Sequence, residues 1–222
     1  TCIGNQSLSV KQINRNKVRP LSSKMKTLVN RYDKKLINQL PKVLFQGRII
    51  VIQSKDEAAR AVEILLKQKI LGIDTETKPV FKKGAGMNPV ALLQVATYDT
   101  CFLFRLNHIG FTDDLIRLMS DETVLKAGLS LKDDFMQLCR RKQFEAGKHA
   151  ELQTMVREMG IVDQSLQKLY ANFFGQRISK TATGLQVVHM GSEHVNTLGS
   201  LGYAADIDDR RGEDDVHVIL LG

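Results

Sequence analysis

The chain has 222 residues, 43% of them hydrophobic and 25% charged, and a formal net charge of +8. That length accommodates one domain with a full core plus an appendage, and no apolar run approaches the length of a membrane span. Cys2, Cys101 and Cys139 are odd in number and form no C-x-x-C pair, which argues against a disulfide scaffold or a zinc site and predicts reduced thiols in a cytoplasmic compartment.

Charge is unevenly placed along the chain. Residues 1–48 carry eleven Lys or Arg against the single acid Asp33, whereas residues 181–222 carry two Arg against seven acids. A basic arm suits a phosphate backbone, which rewards point charges without sequence readout; the competing reading is a solvated, poorly ordered extension. Thr1 to Asn5 have no signal-peptide core and no initiating Met, so a truncated N-terminus is expected. Residues 1–22, poor in large apolar side chains, are expected to be disordered. Met25, Leu28, Val29, Leu36 and Ile37 are spaced for a short amphipathic helix between Ser23 and Gln39, ended by Pro41.

From Arg48 the pattern becomes that of a packed domain. Arg48 to Ile52 reads as a buried strand, and Asp56 to Gln68 as a helix capped by Ser54, with Ala58, Ala61, Val62, Ile64 and Leu65 toward the core. Ile70 to Thr75 is a second strand that runs out into Asp74-Thr75-Glu76. Side chains two apart on a strand share a face, so Asp74 and Glu76 sit side by side at its end. Like charges that close repel unless a cation or a shared proton lies between them, and carboxylates are the ligands that hard divalent ions prefer; the plain alternative is a strand ending in a polar turn. Lys78 to Gly86 is a basic, Gly-rich loop placed to hold a phosphate near the acids, or simply a loop. Val90–Ala96 and Cys101–Phe104, separated by Tyr98-Asp99-Thr100, read as a hairpin. Phe111 to Met119 reads as a helix and Val124 to Gly128 as another strand. Asp133 and Asp134 then fall in the first turn of a helix marked by Phe135, Leu138 and Cys139, where acids are common for dipole reasons alone. The sum is an α/β domain with a mixed sheet and packed helices, whose ligands belong beyond the C-terminal strand ends.

The order of these pieces carries more than any one of them. A GIDTET strand end, an ALLQVAT strand, its CFLF partner, KAGLSLKDDF and SLQKLYANFFGQRISK together resemble the DEDD-type 3′–5′ exonucleases. The branch is that of RNase D and the Werner-helicase exonuclease on the ribonuclease H-like fold. The resemblance covers about residues 45–180 and is similar to short bacterial members consisting of little else. It implies that Asp74 and Glu76 are the D-x-E pair of the first motif and that Asp134, with Asp133 as runner-up, is the acid of the second. Leu166, Leu169, Gly175 and Lys180 match the family's next helical segment. It further implies two Mg²⁺ or Mn²⁺ ions, bridged by Asp74 and held by Glu76, Asp134 and a last Asp, hydrolysing phosphodiester bonds at a nucleic-acid 3′ end, of DNA or RNA.

Past Lys180 the family pattern stops. The third motif, Y-x-x-x-D, has its nearest candidate in Tyr203 and Asp206, where the Asp stands at i+3 instead of i+4. Three readings follow: a divergent third motif, an unrelated C-terminus on a protein that has lost activity, or a shifted reading frame near Thr181, the reading the abrupt change in composition favours. The expected organisation is a partly disordered basic extension over 1–42, an exonuclease-like domain over 43–180 and a divergent segment over 181–222. The expected function is a metal-dependent 3′–5′ exonuclease; the alternative is a catalytically impaired nucleic-acid-binding module that keeps the fold. The five His are isolated or wrongly spaced for a metal. Phe81, Phe102, Phe104, Phe135 and Phe174 read as core or wall before base-stacking platforms.

Overall fold

The computed structural model describes residues 28–77 and 86–178, together with the backbone of 187–190 and 218–221. In chain order the first elements are α1 (Lys34–Ile37), β1 (Lys42–Val43), β2 (Arg48–Ile52), α2 (Lys55–Leu65), β3 (Ile70–Thr77), β4 (Val90–Ala96) and β5 (Thr100–Arg105). Then follow α3 (Leu106–Ile109), α4 (Asp113–Ser120), β6 (Leu125–Gly128), α5 (Leu131–Cys139), β7 (His149–Glu151), α6 (Leu152–Glu158) and α7 (Leu166–Phe174). The last are β8 (Arg177–Ile178), β9 (Val187–Met190) and β10 (Val218–Leu221).

Local chemistry explains most boundaries. Ser54 and Glu57 close a capping box at the start of α2, each side chain bonding the other's backbone N–H. Thr97 and Thr100 bond each other across the β4–β5 turn, which brings the two apolar runs back as the expected hairpin. Gly175 ends α7 in a left-handed conformation, which costs glycine least.

Six strands form one mixed sheet in the order β2-β5-β4-β3-β6-β7. β3, β4 and β5 run antiparallel in sequence, β6 and β7 lie parallel to β3, and β2 lies parallel to β5. The main core fills one face: Leu71, Ile73, Leu93, Val95, Phe102 and Phe104 meet the apolar sides of α2, α4 and α5. On the other face a smaller cluster joins Ala127 and Ala150 to Leu152, Met155, Leu166 and Tyr170 of α6 and α7. Helices therefore cover both sides of the sheet.

β9 and β10 pair antiparallel with Met190 opposite Val218, and the backbone of β10 lies beside β3, β4 and β6.

The segment before β2 departs from the expected amphipathic helix. Within the described part of Ser23–Gln39, α1 is a single turn, Lys34–Ile37. Ahead of it the backbone is claimed by tertiary partners. The Asn172 side chain accepts from the Val29 N–H at 3.1 Å and donates to the Val29 carbonyl at 2.7 Å. Asp163 accepts from the Tyr32 N–H at 2.6 Å, and the Val162 N–H donates to the Asn30 carbonyl at 3.0 Å. β1 then pairs with β8. A backbone bonded outward cannot also form helical i→i−4 bonds, so residues 28–33 stay non-helical and dock on the domain.

Candidate functional site

β3 crosses the middle of the sheet and ends in Asp74, Thr75 and Glu76, which pair with Gln94, Leu93 and Leu92 of β4. Alternation sends Asp74, Glu76 and Gln94 to one face and Thr75 to the other, toward α5. Glu76 is exposed and Asp74 half-buried. Gln94 Nε2 donates to Asp74 Oδ2 at 3.1 Å. Burial, with the neighbouring Glu76 charge second, pushes Asp74 up to about 7 against the Thr75 N–H that opposes it. Asp74 and Glu76 thus stand as two like charges side by side.

Of the two acids in the first turn of α5, Asp134 is buried and faces β3, whereas Asp133 is exposed. Thr75 Oγ1 donates to Asp134 Oδ1 at 2.5 Å, and Asp134 Oδ2 is buried with no hydrogen-bond partner. Burial raises Asp134 to about 7 against the Thr75 hydroxyl, and the charges of Asp74, Glu151 and Asp133 add to the rise. Asp134 thus feels Asp74 while its carboxyl leans to the Thr75 side of the strand. Among the described residues no three His, Cys, Asp or Glu side chains form a metal-binding group.

The turn that delivers Asp134 is tightly built. A Cβ on Gly128 would lie 2.5 Å from the Ile73 carbonyl oxygen, so only glycine lets β6 run this close to β3. Ser130 takes a left-handed backbone, φ 62°. Glu151, at the end of β7, accepts from the N–H groups of Ser130 at 3.0 Å, Leu131 at 2.7 Å and Gln153 at 3.1 Å. One carboxylate therefore caps the starts of both α5 and α6. Sequence reasoning missed Glu151, Thr75 and Gln94. The two β3–β4 residues had a signal, the i+1 position and the ALLQVAT run, but their roles need the strand register.

Tyr203 and Asp206 lie outside the described residues, as do Phe81 and positions 78–85 of the basic loop. Phe102, Phe104 and Phe135 are core residues, and Phe174 packs on Tyr170 with ring centroids 4.4 Å apart. His149 is tied by Nδ1 to the Gly147 carbonyl at 2.8 Å and meets the Phe135 ring edge-on.

The donor chemistry suits a divalent cation: Asp74, raised by burial and by the charge of adjacent Glu76, stands beside a second carboxylate, and Asp134 keeps a buried oxygen without a partner among the described residues. No described helix is long and apolar enough to cross a membrane.

The chain resembles known proteins in both sequence and structure. Exonuclease 3′–5′ domain-containing protein 2 of Drosophila melanogaster is 39% identical over 101 residues, which are 42% of this chain and 17% of that protein. The chain thus spans under a fifth of that relative. The exonuclease domain of Nibbler from Aedes aegypti superposes with a TM-score of 0.55 at 19% identity, covering 63% of this chain and 74% of that one. RNase D of Trypanosoma brucei, solved with RNA U12, gives 0.53 at 16% identity over 60% of this chain and 49% of its own. At those identities the likeness is one of fold, and the fold is that of the ribonuclease H-like exonuclease domains. The 3′–5′ exonuclease family matches residues 49–206, a span that holds Asp74, Glu76, Asp134 and Tyr203 and ends on Asp206. With most of its length inside that match, the chain belongs to the 3′–5′ exonuclease family.

Proposed function

We propose that this chain hydrolyses phosphodiester bonds from the 3′ end of a nucleic acid, using Mg²⁺ or Mn²⁺ held by Asp74, Glu76, Asp134 and Asp206, with Tyr203 orienting the attacking water. The observation that carries the reading is the placement of Asp74 and Glu76 side by side at the end of β3, with Asp134 reaching the intervening Thr75 from the α5 side and both Asp74 and Asp134 raised by burial. Cations held there by these carboxylates would supply the Lewis acidity for phosphodiester hydrolysis. The protein's own residues set the stage for that chemistry. The β3–β4 register aims Asp74 and Glu76 together, Thr75 holds one oxygen of Asp134, and Glu151 fixes the turn from which Asp134 projects. The family match runs on to Asp206, which supports a role for that residue at this site.

Digestion of 3′-labelled and 5′-labelled oligonucleotides, DNA and RNA, with Mn²⁺, Mg²⁺ or EDTA tests the proposal. The expected result is a ladder shortening from the 3′ end only when the metal is present, lost in Asp74→Ala while nucleic-acid binding persists. Binding without degradation in the unaltered chain would instead support the second reading, a nucleic-acid-binding module on the exonuclease fold. That reading draws on the absence of a three-donor cluster among the described residues.

A further inference from the structure

Gln94 is a polar side chain in a place that normally holds an apolar one. It sits in the middle of β4, 1% exposed, between Leu93 and Val95. An amide buried to that degree is costly unless its polar atoms are bonded. Only half of this one is: Nε2 donates to Asp74 Oδ2, while Oε1 is buried without a partner. The bond is not an accident of side-chain reach. Gln94 stands directly opposite Asp74 in the β3–β4 ladder, and opposed residues on one face are the nearest neighbours a sheet provides.

We infer that Gln94 is the positioning residue of the candidate cation site: its amide N–H₂ fixes the rotation of the Asp74 carboxylate, and its unpartnered Oε1 is an acceptor for the hydration shell of a bound divalent cation. Groups that orient a ligating carboxylate tune metal affinity by about 10–100-fold when altered. Among the described residues, Gln94 is the side chain that donates to Asp74. Gln94 thus engages one oxygen of the Asp74 carboxylate through Nε2 and leaves its own Oε1 outside that bond. The inference rests on the proposed cation-binding role of Asp74 and deepens it.

The test measures Mn²⁺ binding directly, by calorimetry and by the loss of the free-ion paramagnetic resonance signal, on the full chain without substrate. Gln94→Met keeps the volume and removes both polar atoms; Gln94→Asn keeps the amide but is one methylene too short to span the ladder. The inference expects Mn²⁺ affinity to fall about tenfold or more in both variants, with the metal-free melting temperature of Gln94→Met equal to or above that of the parent. Unchanged Mn²⁺ affinity in either folded variant would overturn it, as would a lowered melting temperature with no change in binding, which marks a purely structural residue. If the parent chain itself binds no Mn²⁺, the cation reading of Asp74 fails and this inference falls with it. Binding by the parent that is matched by Gln94→Met sinks the inference alone.

Discussion

Glu151 accepts three backbone N–H groups and belongs to neither acid motif. Its carboxylate joins the end of β7 to the first residues of α5, where Ser130 is held in a left-handed conformation that non-glycine residues adopt only when surroundings enforce it. Truncation leaves those donors unsatisfied at the start of two helices. Glu151→Ala is expected to cost about 2 kcal/mol in urea unfolding, the upper range for a lost cap, and Glu151→Gln about half that, because one amide oxygen can still accept. A loss in Glu151→Ala within experimental error of zero would show that the turn is held by packing alone. The positions of Asp74 and Glu76 at the end of β3 and of Asp134 in the first turn of α5 were legible in the chain from strand alternation and motif order. Glu151 was not, because its partners lie 20 and 21 residues away and become neighbours only when β7 joins β6. Thr75 hid for a different reason: between two acids it looks like a spacer, and only the position of α5 gives its hydroxyl a partner.

At the level of elements, β6 carries an unusual core residue. Lys126 is fully buried, and its Nζ donates to the Asp121 carbonyl in the loop before the strand. Burial lowers Lys126 to about 8, although Asp121 and Glu122 pull the other way. Between about pH 8 and the ordinary lysine value of 10.5 the folded chain binds fewer protons than the unfolded one. Unfolding free energy therefore rises with pH through that window, by roughly 3 kcal/mol if the full shift is realised. Lys126→Met is expected to abolish that slope and to match or exceed the parent at pH 7, since removing a buried charge offsets the orphaned carbonyl. Urea midpoints at pH 7 and 9.5 measure both effects; a parent slope that survives the substitution would assign it to another group. The same scale shows where element boundaries were readable. Ser54, the Thr97–Thr100 turn and Gly175 are local signals, and the elements they bound came out close to expectation. Asn172 and Asp163 are distant partners of residues 28–33, so the helix expected across them reduces to α1.

For the whole molecule, that docking divides the basic arm in two. Residues 1–27 contain six Lys or Arg and no acid, whereas residues 28–43 are bonded to α7, the loop before it and β8. Removing 1–27 is expected to leave the melting temperature unchanged and to reduce the salt slope of single-strand binding by up to about 4, the share of six phosphate contacts. Removing 1–42 is expected to lower the melting temperature as well, because Asn172 and Asp163 lose their partners. An unchanged slope after the shorter deletion would mean that the arm touches no phosphate. The mixed sheet, its hairpin and the helices α2, α4 and α5 were readable from the residue pattern, α7 came only through the family resemblance, and α3, α6, β7 and the β1–β8 pair were too short to announce themselves. The alternation of β3 also bears on misfolding. A slip of one residue would carry Asp74 and Glu76 into the apolar layer beneath α5 and move Ile73 out of that layer to the opposite face. Two uncompensated carboxylates in that layer make the slipped pairing far less stable than the native one, so the residues proposed to hold the cation also act as a guard on strand registration while the chain folds.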